Sequence, residues 1–247
     1  MFHFIVSDWL RENMKTKITA IICLTLSLSL NAKIYKREVG TCFPTNTSNF
    51  GMYDKSSNGL SEIQFNQVLD TVQTIMGPEI KKRLNKNLII DRKWPDSTVD
   101  AYATRDDDNN PVIVINGGLA RHPRMTKDGF LLLVCHELGH HLGGAPKILR
   151  GNSGLRSWSS AEGQADYYAV TKCLPLLFQT GNENNNIDTE NSGIALSKCS
   201  DDICGRIVLS GLTVSQVIAS LVKGMPEPSL LLQDSTKVER TNYNHPN

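Results

Sequence analysis

The stretch "FLLLVCHELGHHLGG", residues 130–144, constrains this chain more than any other, because it sets two imidazoles and a carboxylate on a strongly apolar helix. Side chains four apart lie one above the other on a helix, so His136 and His140 can aim ring nitrogens at one ion. Glu137 is rotated by about 100° from His136, which puts it beside such an ion rather than on it. Left unpaired, these groups would be costly to bury. One bound Zn2+ ion removes that cost, and a carboxylate next to a zinc-acidified water can take its proton. The fold must then bring further ligands to this helix.

The extended pattern His-Glu-x-x-His-x-x-Gly-x-x-His would place its third histidine at 146, but the residue there is Pro146. His141 points off the ligating face and is expected to be solvent-exposed or hydrogen-bonded. A carboxylate on a later helix is the remaining solution, and "SAEGQADYY", residues 160–168, offers Glu162 with Asp166 one turn on. Glu162 would ligate the ion, and Asp166 would accept an N–H from a ligand histidine and fix its tautomer. The plainer alternative makes Ser159, Ser160 and Glu162 a capping box and Asp166 a favourable acid near a helix start. Two histidines and one glutamate leave a fourth position for water, the mark of a catalytic rather than a structural site. Gly139 disfavours a helix by about 1 kcal/mol relative to Ala, so its expected use is to let backbone pack close behind the metal.

Around this helix the chain reads as α+β. Residues 60–84 carry apolar side chains at helical spacing (Ile63, Val68, Val72, Ile75), with Gly77-Pro78 expected to give two helices or one kinked helix. "NLII" (87–90), "STVDAYAT" (97–104) and "VIVING" (112–117) read as strands, so a small three- to four-stranded sheet should pack on the motif helix. That helix should begin near Thr126 or Lys127 and end at Gly143-Gly144. A second should open with Ser159 or Ser160 as its N-cap, a polar loop should fill 181–202, and a third helix should run from about Cys204 to Val222.

With 247 residues and a net charge of +1, the chain can bury a core but lacks the clustered basic residues that nucleic-acid binding needs. "MKTKITAIICLTLSLSLNA", from Met14, has the basic start, short apolar run and small residue of a secretory signal peptide ending at Ala32. The run from Ile18 to Leu30 is shorter than the ~20 residues of a membrane span, so no stable transmembrane anchor is expected. Residues 1–32 are therefore expected to be an extension and leader, with translation starting at Met14, and 33–247 a single secreted or periplasmic domain. It would carry Cys42, Cys135, Cys173, Cys199 and Cys204, an odd number, with Cys135 expected as a buried free thiol and the others in disulfides.

Taken together, "VDAYA" (99–103), "RDDDNN", "VIVING", "GGLA", "CHELGHH" and "EGQAD" (162–166) occur in the order seen in the gluzincin metallopeptidases. The group resembled contains the CAAX prenyl endopeptidases and the heat-shock-induced membrane proteases with their soluble periplasmic relatives. The resemblance covers about residues 60–175 and implies a zincin-like fold and a zinc metalloendopeptidase acting on extended protein or peptide substrates. It further implies that Asp100, Ala101, Tyr102 and Ala103 lie on an edge strand that holds substrate backbone. The closing "TNYNHPN" is similar to a Thr-x-His-Pro stretch of the family, which makes His245 a candidate for stabilising an oxyanion. Members continue past that point with an arginine and more helix, so a C-terminal truncation at Asn247 is expected, which would also account for the odd cysteine. Two rival readings remain: a catalytically weak peptide-binding or chaperone-like module of the cell envelope, and a purely structural zinc site, which Glu137 makes the weaker of the two.

Overall fold

A computed structural model describes residues 42–149, 155–180 and 189–231 of the chain. The proposed leader and His245 lie outside these residues. The elements run α1 (Glu62–Leu84), β1 (Ile89–Lys93), β2 (Ala101–Arg105), β3 (Pro111–Asn116), α2 (Gly117–Arg121) and α3 (Lys127–Leu142). They continue with β4 (Lys147–Leu149), β5 (Arg156–Ser160), α4 (Glu162–Tyr168), a π-helical turn (Ala169–Cys173), α5 (Leu174–Thr180), α6 (Thr189–Lys198) and α7 (Asp202–Leu221). The class is α+β, with a small sheet and several helices.

The sheet has the order β1-β3-β2. β3 is the middle strand, parallel to β1 and antiparallel to β2, with Ile113 opposite both Ile90 and Ala103. All six of its residues are buried, as expected for a strand covered on both faces, and β2 is left at the edge. A separate two-stranded ribbon, β4 with β5, leads into α4.

α1 is one continuous helix, not the two helices or kinked helix that Gly77-Pro78 suggested. Its start is fixed by a capping box in which Ser61 accepts from Gln64 N–H and Gln64 returns the bond to Ser61 N–H. Its buried stripe is Phe65, Leu69, Val72, Met76 and Ile80, which passes straight across Pro78, so packing on both sides keeps the helix in one piece. The apolar set read from sequence is thus turned partly away from the core, and Ile63 is 71% exposed.

α3 begins at the expected place, with Thr126 Oγ1 accepting from Gly129 N–H at 3.1 Å, and gives way to Gly143. Every residue from Gly129 to Leu142 except Leu132 is buried, so this is the central helix of the molecule. Asp128 in its first turn takes a two-point ion pair from Arg206 of α7, both nitrogens at 2.9 Å. α7 packs along α3 and is the one helix among the described residues long and apolar enough to cross a membrane by length and composition. Two other expectations are corrected. The stretch before α4 is strand β5 rather than helix, so Ala161 and not Ser159 or Ser160 is the N-cap, and α6 lies within the segment read as loop.

Disulfides join Cys135 to Cys173 and Cys199 to Cys204. Cys135 is therefore not the free thiol; Cys42 is. One residue before His136 the helix has turned by about 100°, so the Cys135 sulfur leaves the ligating face and meets the π-helical turn. Two such bridges fit an oxidising, extracytoplasmic environment.

Candidate metal centre

α3 and the start of α4 bring the predicted ligands together. His136 Nε2 lies 3.2 Å from Glu162 Oε2, and His140 Nε2 lies 3.4 Å from the same oxygen. Tetrahedral zinc with bonds of about 2.0–2.1 Å separates neighbouring ligand atoms by about 3.3 Å, so both separations from the Glu162 oxygen have the size such an ion requires. Both histidines are at most 2% exposed. The buried His136, His140 and Glu162 cluster can hold a metal ion.

The far nitrogens of both rings are committed elsewhere, so the Nε2 atoms are the ones that can serve an ion. His136 Nδ1–H donates to Asp166 Oδ1 at 2.8 Å, the role read for Asp166 from its position one turn beyond Glu162. His140 Nδ1–H donates to the Ser160 carbonyl at 2.9 Å, with Ser159 Oγ 3.0 Å away. The serines thus belong to the strand that orients a ligand, and the capping-box alternative fails because Ala161 has no side-chain capping bond. Metal-binding histidines usually need such outer partners to fix ring and tautomer.

Gly139 lets the two helices meet. A Cβ there would stand 2.6 Å from Ala165 O and 2.7 Å from Ala165 Cα, so only glycine allows α4 this close behind the ligands. The close approach expected from sequence is present.

Glu137 is buried beside the cluster, and its Oε1 has no hydrogen-bond partner. Burial raises its pKa, His136 and His140 counter that, and Glu162 and Asp100 reinforce it. Glu162 moves the other way: burial pushes its carboxyl up, but hydrogen bonds and charge from His136 and His140 bring it down to about 2. The two carboxyls are thereby shifted in opposite directions, Glu162 toward its ionised form and Glu137 toward its protonated form.

Of the four residues assigned to the substrate strand, Ala101, Tyr102 and Ala103 lie on β2, and Asp100 just precedes it. Ala101 and Ala103 face the core, Tyr102 is half-buried on the opposite face, and Asp100 is near enough to act on Glu137. His141 is hydrogen-bonded, not exposed. Its Nε2–H donates to Val112 O at 3.2 Å and its ring stacks on Trp158 with centroids 4.7 Å apart, fixing α3 to the sheet.

The sequence reading missed two residues. Arg121 is buried, and its guanidinium donates to the carbonyls of Phe50, Trp94 and Asp96, holding the turn between β1 and β2. Cys42 was assigned to a disulfide, yet its sulfur lies with His136 and Glu137. The odd cysteine count was the signal for it, but the count alone did not say which thiol was left over.

Comparison with known proteins finds no matching family model, no matching curated protein and no matching solved structure.

Proposed function

We propose that this chain is a zinc-dependent metalloendopeptidase with a gluzincin-type, zincin-like fold. The observation that carries the reading is the convergence of His136 Nε2 and His140 Nε2 on Glu162 Oε2, at 3.2 and 3.4 Å, with the buried carboxylate of Glu137 alongside. Nitrogen and carboxylate donors in a set of three favour zinc over the hard oxygen-seeking cations. When bound, the metal supplies a Lewis acid for the scissile carbonyl and lowers the pKa of water to ~7. Glu137 accepts the proton of the attacking water and returns it to the departing amine, a task suited to a carboxyl whose pKa burial has raised. Asp166 and Ser160 hold the two imidazoles in place throughout. β2, an edge strand close to Glu137, offers the backbone on which an extended peptide would be held, and export would bring the enzyme to protein or peptide substrates outside the cytoplasm.

The test pairs chelation with one substitution. An unstructured protein substrate should be cleaved, cleavage should stop with a chelator, and zinc should restore it. Glu137→Gln should keep stoichiometric zinc while turnover falls by roughly 10²–10⁴-fold, the usual scale of general-base loss. Equal turnover by that variant would exclude the reading. A peptide-holding protein without turnover is the competing reading, favoured by the run of residues 46–50 along 97–99 at the approach to β2. It predicts peptide binding that chelation leaves intact and no cleavage under any metal condition.

A further inference from the structure

Residues 43–49 and residues 98–100 enclose a cavity of about 270 Å3 at the approach to β2. Pockets that take in a whole small ligand measure ~300–1,000 Å3, so this one has the size for a single long side chain. Thr45, Thr47 and Asn49 on its rim are exposed, while Phe43 and Val99 are buried, so the cavity opens to solvent on one side and ends on apolar surface on the other.

Its place relative to the centre is fixed by the chain. Cys42, one residue before Phe43, has its sulfur within 4.8 Å of a His136 ring nitrogen and a Glu137 carboxylate oxygen. Asp100 leads directly into β2, which packs against α3. The cavity thus adjoins the metal-binding residues on the Glu137 side. Its outer wall is tied down: Asn46 Nδ2 donates to Val99 O at 3.3 Å, Ser97 Oγ donates to Asn49 Oδ1 at 2.9 Å, Asn49 bridges Thr98 in antiparallel fashion, and Phe50 N–H donates to Ser97 O at 2.8 Å. A wall held this way is set before any ligand arrives, which lowers the ordering cost of binding.

Among the described residues that line the cavity, Asp100 is the one that carries a charge, and none is cationic. Its Oδ1 accepts from Ala101 N–H at 2.9 Å, which holds the carboxylate at the start of β2. Asn46, Ser48 and Thr98 supply amide and hydroxyl groups around it, and Phe43, Pro44 and Val99 supply surface for a methylene stem.

We propose that this cavity is a substrate subsite for a lysine or arginine side chain, and that Asp100 is the residue that selects it. The inference rests on the metalloendopeptidase reading above and names the side chain such an enzyme prefers close to the bond it cuts. An apolar stem on Phe43, Pro44 and Val99 with an ammonium or guanidinium head at Asp100 matches both halves of the lining. An acidic side chain in the same place would meet Asp100 as a like charge and be rejected. β2 would hold substrate backbone whatever its sequence; residues 43–49 and Asp100 add the choice of side chain.

The experiment uses the zinc-loaded full chain and internally quenched peptides of one sequence, in which lysine, norleucine or glutamate occupies each position in turn from three before to three after the cleaved bond. At one position lysine should raise kcat/KM roughly tenfold over norleucine, the scale of one hydrogen bond to a charged group, and glutamate should lower it. Asp100→Asn, which keeps an acceptor for Ala101 N–H, should bring the lysine-to-norleucine ratio close to one, and Asp100→Lys should make glutamate the preferred residue. A ratio taken within each variant cancels any general loss of activity, and the ratio in wild type needs no variant. The same sequences labelled with fluorescein and read by anisotropy against zinc-loaded Glu137→Gln measure the preference without turnover. Cleavage with equal rates for the three residues at every position, or a lysine preference that Asp100→Asn leaves unchanged, would overturn the subsite and leave the endopeptidase standing. Lysine-dependent binding that Asp100→Asn removes, with no cleavage by wild type, would keep the subsite and overturn the endopeptidase. Neither cleavage nor lysine-dependent binding would overturn both.

Discussion

At the scale of single residues, the centre depends on where each imidazole sends its second nitrogen. His136 is held by the Asp166 carboxylate and His140 by a backbone carbonyl, so only the first is open to substitution. Asp166→Asn should weaken zinc affinity by about 10–100-fold while leaving the fold unchanged, measurable by competition with a chromophoric chelator alongside circular dichroism. Away from the centre, His122 is buried, its Nδ1 accepts from Arg124 N–H, and its Nε2–H therefore donates to Ser220 Oγ at 3.0 Å. Burial, with help from the Arg124 charge, lowers its pKa to about 4. Because this lies below the unfolded value of about 6.5, the contribution to stability is complete above pH 6.5 and is lost as pH falls toward 4. Unfolding free energies from urea titrations at pH 7 and pH 5 should differ by roughly 1 to 2 kcal/mol more in wild type than in His122→Gln, after allowing for solvent screening.

At the scale of elements, the α3–α4 crossing decides whether Glu162 reaches the histidines. Gly139→Ala improves helix propensity by about 1 kcal/mol, yet its methyl group would meet Ala165 backbone at 2.6–2.7 Å. The overpacking should cost about 1–3 kcal/mol in net stability and weaken metal binding by displacing Glu162. Equilibrium unfolding and zinc titration of that variant would show both, and a stabilised variant with unchanged affinity would contradict the packing account. The same scale explains why α1 runs unbroken through Gly77-Pro78. A proline removes one hydrogen bond and clashes locally, but Val72, Met76 and Ile80 are buried on either side of Pro78 and hold the helix against the core.

At the scale of the whole molecule, the Cys135–Cys173 disulfide ties the central helix to the turn that follows α4, closing a loop of 38 residues in sequence. Chain-entropy arguments give about 4 kcal/mol for that loop and about 2 kcal/mol for the short Cys199–Cys204 loop. Replacing Cys135 and Cys173 together by Ala should therefore lower stability more than replacing Cys199 and Cys204, as read from denaturant midpoints. α7, tied to the start of α3 by Arg206 and Asp128, packs on the central helix, with Val217 buried in the core and Ile203, Ile207, Val214 and Ile218 half-buried against it.

The sequence by itself determined which residues make up the candidate metal cluster and the coarse α+β class of the fold. His136, His140, Glu162 and Asp166 were legible because helical spacing is local: a period of about 3.6 residues fixes which side chains share a face, whatever the rest of the chain does. The three strands and α3 were legible for the same reason. Only the tertiary structure decided that Cys135 pairs with Cys173, that the Cys42 sulfur lies with His136 and Glu137, and that Arg121 is buried beneath the turn. Only it decided which face of α1 packs inward, and that β5, not a helix, presents the Ser160 carbonyl to His140. These outcomes join residues tens of positions apart. Local periodicity carries no information about such pairings; they are settled by which apolar surfaces and polar groups find partners when the chain closes on its core.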